Sequence, residues 1–249
     1  MYLKSLIALA VIWWGGSLGP ATAQATQDEL LETGHHLAEV LRAARDVVSE
    51  NQDLINDPDI AEKGLTPDVF MGRVRDRFAE RNGAPPISPG MTDMQIALVT
   101  AQLDSIQEVI SEAQDLFNAP GIGFKGFIPA YFARLINDRF GERVAETADI
   151  KVTAPLHLVR NRKSLPDPWE LAVIEERFLA DDWERGGVFH DIADGPNGPE
   201  FRMLFPDYYG ASCLSCHGQP KGEVDVTGFP KEGASEGDLG GVISIRLKP

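Results

Sequence analysis

The chain contains two cysteines, and both fall in one short run, Cys213-Leu214-Ser215-Cys216-His217. Thiols three residues apart, followed at once by an imidazole, suit three chemistries. They can add to the two vinyl groups of a haem while the imidazole reaches the iron from the same side. They can form a redox disulfide, which calls for a thioredoxin-like βαβ context, or help bind zinc, which calls for a second Cys/His pair at finger spacing. The surrounding sequence offers neither context, so the spacing favours one covalent haem c on Cys213 and Cys216 with His217 as the proximal iron ligand. A thiolate sixth ligand is then unavailable, because no third cysteine exists. His157, His190, His35, His36 and the methionines are the other candidates for that position; Met71, Met94 and Met203 suit core gaps better than iron. A five-coordinate iron is the alternative.

Covalent haem attachment normally takes place outside the cytoplasm, and the N-terminus fits that location. Lys4, the apolar run Ser5 to Trp14 and Ala21-Thr22-Ala23 before Gln24 have the pattern of a secretory signal over residues 1–23. Ten apolar residues at ~1.5 Å each span about 15 Å, half of a ~30 Å hydrocarbon core, and Gly15, Gly16 and Pro20 break the run, so no stable membrane anchor is expected. The expected location is periplasmic or secreted. With 38 Asp+Glu against 23 Lys+Arg, the formal charge of −15 disfavours nucleic acid and anionic lipid as partners. A charged partner should present a basic surface.

The elements that must carry the motif begin with an internal repeat. At an offset of 62 residues, 45–81 and 107–143 share 18 identities in 37 positions, among them Lys63-Gly64 with Lys125-Gly126 and Asp76-Arg77-Phe78 with Asp138-Arg139-Phe140. Recurrence of the Lys-Gly pairs by duplication points to a turn, not a site. Each copy opens on a predicted long helix, capped by Thr26 with Glu29 and by Thr92 with Gln95, and stopped near Pro58 or Pro120. Two copies suggest paired helical hairpins, joined by the linker Gly83 to Gly90.

Beyond the repeat, the pattern predicts strands over 149–153, 187–192, 200–205 and 241–247 and a helix over 166–179, with a turn at Gly195 to Pro199. Strands not regularly separated by helices imply an α+β fold, an antiparallel sheet with helices on one side. The expected organisation is a signal (1–23), a first helical unit (24–91), and a haem domain (92–249) that includes the second unit. Only the second copy is expected to pack on the sheet, since it runs into residue 149 without a linker.

Cys213 to Gly218, Glu236-Gly237-Asp238-Leu239-Gly240-Gly241-Val242-Ile243-Ser244-Ile245, and Arg160-Asn161-Arg162-Lys163-Ser164-Leu165-Pro166-Asp167-Pro168-Trp169-Glu170 together resemble the exported single-haem domains of c type with a PAS-like fold. Arg162 and Ser164 stand where that family usually has Pro and Asn, and many relatives carry a further Cys that this chain lacks. The resemblance implies a long helix over a PAS-like antiparallel sheet with haem beside it. It also ranks His157, next to the Arg160–Glu170 stretch, ahead of His190 as sixth ligand. Arg160 and Arg162 become the candidates for the haem propionates, which a planar guanidinium matches in bidentate fashion. Function is expected to be single-electron transfer, with a stand-alone haem-based sensor of redox state or a diatomic gas as the alternative; no motif places a distal His/Arg pair for a haem enzyme.

Overall fold

The structure, a computed structural model, describes residues 25–144, 146–195 and 198–248; the expected export signal lies outside them. The first copy of the repeat forms α1 (Gln27–Glu50), α2 (Gln52–Asn56) and α3 (Pro67–Asn82). The second forms α4 (Asp93–Glu112), α5 (Gln114–Asn118) and α6 (Pro129–Val144). Both expected capping boxes are present: Thr26 with Glu29 on α1, and Thr92 with Gln95 on α4. The predicted single long helix of each copy is broken near its end, at Asn51 and at Ala113. The Asn51 side chain donates to the Val47 carbonyl and accepts from Arg73.

The copies brace one another reciprocally. Asn118 accepts from the Lys63 backbone N–H at 3.0 Å, and Asn56 from that of Lys125 at 2.9 Å. Gln52 donates to the Phe127 carbonyl, and its equivalent Gln114 to that of Leu65. Phe70 and Phe132, equivalent across the 62-residue offset, meet edge to face at 5.5 Å. Gly64 and Gly126 both hold positive φ, +64° and +71°, so the recurring Lys-Gly pair is a turn for which glycine is the low-cost residue.

Four strands follow: β1 (Ala148–Thr153), β2 (Phe189–Gly195), β3 (Gly198–Tyr208) and β4 (Leu239–Leu247), ordered β1-β4-β3-β2 with every pair antiparallel. β2 and β3 form the expected hairpin, with Gly195 opposite Gly198. Alternation sends Ile150, Phe201, Met203, Phe205, Ile243, Ile245 and Leu247 to one face, where they join the buried residues of both repeat copies in a single core.

Two expectations are corrected here. The first copy also packs on the sheet: α1 lies on β3 and β4 while α6 lies on β1. Gly34 makes the α1 approach possible, since a Cβ there would fall 2.1 Å from Met203 Cε. Further along, Arg42 donates to the Pro206 carbonyl at 2.8 Å and Arg45 pairs with Asp207. Nor are helices confined to one side. A seventh helix, α7 (Pro168–Val173), continues as a π-helical turn over Ile174–Phe178 and closes the opposite face, packing Val173, Ile174 and Phe178 on Leu204 and Val242.

Candidate haem-attachment site

The motif leaves the sheet where β3 ends. A register shift at Asp207 and Tyr208 releases the chain, and a 3₁₀ turn over Ala211–Cys213 leads into α8 (Leu214–His217). One turn of helix thus carries the motif. The 3₁₀ turn before it touches α1, where Ser49 and Ser212 hydroxyls lie 3.0 Å apart. Both cysteines are half-buried unpaired thiols.

The imidazole is held from three directions. Its Nδ1 lies 2.8 Å from Glu232 Oε2 and 3.2 Å from the Tyr209 hydroxyl. Tyr209 stacks on the ring at 4.8 Å, 26° from parallel, and rests against Gly240, where a Cβ would lie 2.5 Å from the tyrosine ring. The His217 carbonyl accepts from the N–H groups of Gly233 and Ala234. Among the described residues nothing bonds Nε2. Donation of the Nδ1 proton to Glu232 selects the tautomer whose Nε2 lone pair is free, which is how a metal-binding imidazole is presented.

Behind Glu232 stands Arg160. Its Nε and Nη2 bond the two Glu232 oxygens at 2.9 and 3.0 Å, Nη1 bonds Asp225 at 2.7 Å, and Nη2 also reaches the Cys216 carbonyl at 3.1 Å. Burial alone would raise the Glu232 carboxyl, but the bonds from Arg160 and His217 outweigh it and hold the group below the usual carboxylate range. Asp225 behaves likewise: burial opposes ionisation, yet bonds from Thr227, Arg160 and the Phe229 backbone bring it down to about 2. The same carboxylates raise Arg160 against the opposing effect of its own burial. For Tyr209, burial first and Glu232 second push the phenol up.

The Arg160–Glu170 stretch therefore has two halves. Arg160 serves the motif, whereas Asp167 caps α7, pairs with Arg202 at 2.5 Å, and shares with buried Glu170 the anchoring of that helix to the sheet; Arg202 in turn lies over Trp169 at 4.3 Å. Arg162 is exposed, with no partner among the described residues. The donors expected for propionates are thus engaged by protein in Arg160 and open in Arg162. Arg45 of α1, which pairs with Asp207, has a buried Nε without a partner among the described residues.

His157 is exposed on a 3₁₀ turn (Leu156–Leu158) and lines a cleft of about 390 Å³ together with Arg160, Lys221, Phe229 and Glu232. His190 stands on β2 opposite Met203, with its ring against Phe201, among neighbours that the motif does not share. His35 packs edge-on against Phe205, and His36 donates to the Pro86 carbonyl at 2.6 Å. Met71 and Met203 are buried in the core, and Met94 packs at its margin. Among the described residues no three or more His, Cys, Asp or Glu side chains are grouped to hold a metal ion, and no helix is long and apolar enough to cross a membrane.

Sequence reasoning did not single out Glu232, Asp225, Tyr209 or Arg45. Asp225 and Glu232 lie in an irregular loop without periodicity, and only its return to the motif gives these carboxylates meaning. Against known proteins, the model of the Tll0287-like family matches residues 23–248. No curated protein and no solved structure matches.

Proposed function

The chain belongs to the Tll0287-like family, and on that premise we propose that it is an exported haem protein of c type that passes single electrons. The observation that carries this reading is the set of donors over Cys213–His217: two thiols three residues apart and in no disulfide, followed by an imidazole whose Nδ1 is tied down and whose Nε2 is free. These groups fit one haem through thioether bonds from Cys213 and Cys216, with His217 as proximal ligand. The unpartnered buried Nε of Arg45 is a further donor suited to a propionate, and Arg162 is a second. Haem iron supplies a one-electron couple when bound.

The protein's own groups do the rest. Glu232 and Tyr209 fix the imidazole plane, Arg160 ties the motif backbone to the loop that carries Glu232, and the Ser49–Ser212 hydroxyl contact joins α1 to the turn that precedes α8. His157 is the proposed sixth ligand ahead of His190, because it lies beside the Arg160–Glu170 stretch that resembles the haem-domain family. An overall charge of −15 would steer the protein toward a redox partner with a basic surface.

Mass spectrometry of the denatured, exported chain checks the reading. One haem added to the mature mass, lost in the Cys213→Ala/Cys216→Ala double variant, is the expected result; an unmodified mass from cells with working attachment machinery would overturn it. Carbon monoxide then separates carrier from sensor. A six-coordinate carrier should leave the ferrous spectrum nearly unchanged, whereas ready binding would favour a gas sensor with an open or weakly held sixth site.

A further inference from the structure

We infer that Glu232 is a positioning residue for the proximal ligand, raising the electron donation of His217 and so lowering the reduction potential of the site; this rests on the haem reading above. Three observations support it. The carboxylate, not a neutral carbonyl, is the close acceptor for Nδ1, at 2.8 Å. A charged acceptor draws the Nδ1 proton more strongly, makes the opposite nitrogen more basic and so favours the oxidised metal. Second, Glu232 is not free to swing away, because Arg160 grips both its oxygens while Asp225, whose carboxylate is wholly buried, grips Arg160. Third, the same guanidinium reaches the Cys216 carbonyl, so the helix carrying the ligand and the group that orients it share one anchor.

The competing account is that Glu232 merely closes the 218–238 loop through its pair with Arg160. Reduction potentials of the purified haem protein separate the two. Glu232→Asp keeps the charge and can keep the Arg160 pair, but it is one methylene shorter and should lengthen the bond to Nδ1. Glu232→Gln keeps the size but removes the charge. Glu223→Gln removes the same charge from the same loop at a side chain that pairs with Lys231 and does not touch His217. The expected result is a higher potential for Glu232→Asp and Glu232→Gln, with the latter shift larger than that of Glu223→Gln, accompanied by altered haem bands. A Glu232→Asp potential equal to that of the wild type, or equal shifts in the two Gln variants, would overturn the inference while leaving the haem reading intact. A wild-type protein without haem would overturn both.

Discussion

The guanidinium of Arg160 lies beside the motif, with its Nη2 on the Cys216 carbonyl. Its planar fork suits a carboxylate, and carboxylates do occupy it, but they are Glu232 and Asp225 of the same chain. The hydrogen bonds that Asp225 accepts from Arg160, Thr227 and the Phe229 backbone have a measurable consequence. The pKa of Asp225 is lowered from an ordinary value of 3.8 to about 2 in the folded protein. Folding therefore favours the charged form, so the contribution to stability is present above the unfolded value and disappears as the pH falls from about 4 to about 2. A shift of that size corresponds to roughly 2 kcal/mol. In Asp225→Asn, thermal unfolding should occur at lower temperature than in the wild type at neutral pH, and the gap should close as the pH approaches 2. A gap independent of pH would show that the charge of Asp225 is not what holds the loop.

At the scale of elements, the contact of α1 with the sheet depends on a missing side chain. Gly34 costs the middle of that helix about 1 kcal/mol relative to alanine. In exchange it admits Met203, which would otherwise collide with a Cβ. Overpacking typically costs about 1–3 kcal/mol, so Gly34→Ala should be destabilising by about 1 kcal/mol net despite the better helix former. Met203→Ala leaves a cavity and should cost about 2–5 kcal/mol. The double variant should be more stable than the sum of the singles predicts, by about 1 kcal/mol, because the added methyl then fills space that the methionine vacated. Denaturant midpoints for the four proteins would decide this, and strict additivity would mean that α1 does not sit on β3 as described.

Taken whole, the molecule has a helical layer, a sheet and a smaller layer beneath, and the larger core runs without interruption through both repeat copies into the sheet. Neither copy can be withdrawn without exposing buried side chains of the other or of β3 and β4. Equilibrium unfolding should accordingly be a single transition. The tryptophans of the described chain, Trp169 and Trp183, both pack with the α7 layer, so their fluorescence reports the far face, while the far-ultraviolet helical signal reports mainly α1 to α6. Coincident curves are expected. Separate midpoints would mean that the repeat and the sheet are independent folding units.

Local chemistry made much of this protein legible from its residues. The spacing of Cys213, Cys216 and His217, the Thr capping boxes, the 62-residue repeat and the alternation of Val242 to Leu247 each depend on neighbours a few positions away, or on similarity of the chain to itself, and each has a counterpart in the fold. What meets what across long separations was not legible. Arg160 reaches residues 216, 225 and 232, and α1 reaches β3 more than 160 residues later, through contacts that leave no period in the sequence. A glycine at 34 reads as a weak point in a helix until Met203 is seen opposite it, and Glu232 reads as one more surface acid until it is found on the Nδ1 of His217. Those pairings are set by tertiary packing: α1 meets Met203 only once the sheet has closed against the repeat, and Glu232 meets His217 only once its loop has folded back on the motif.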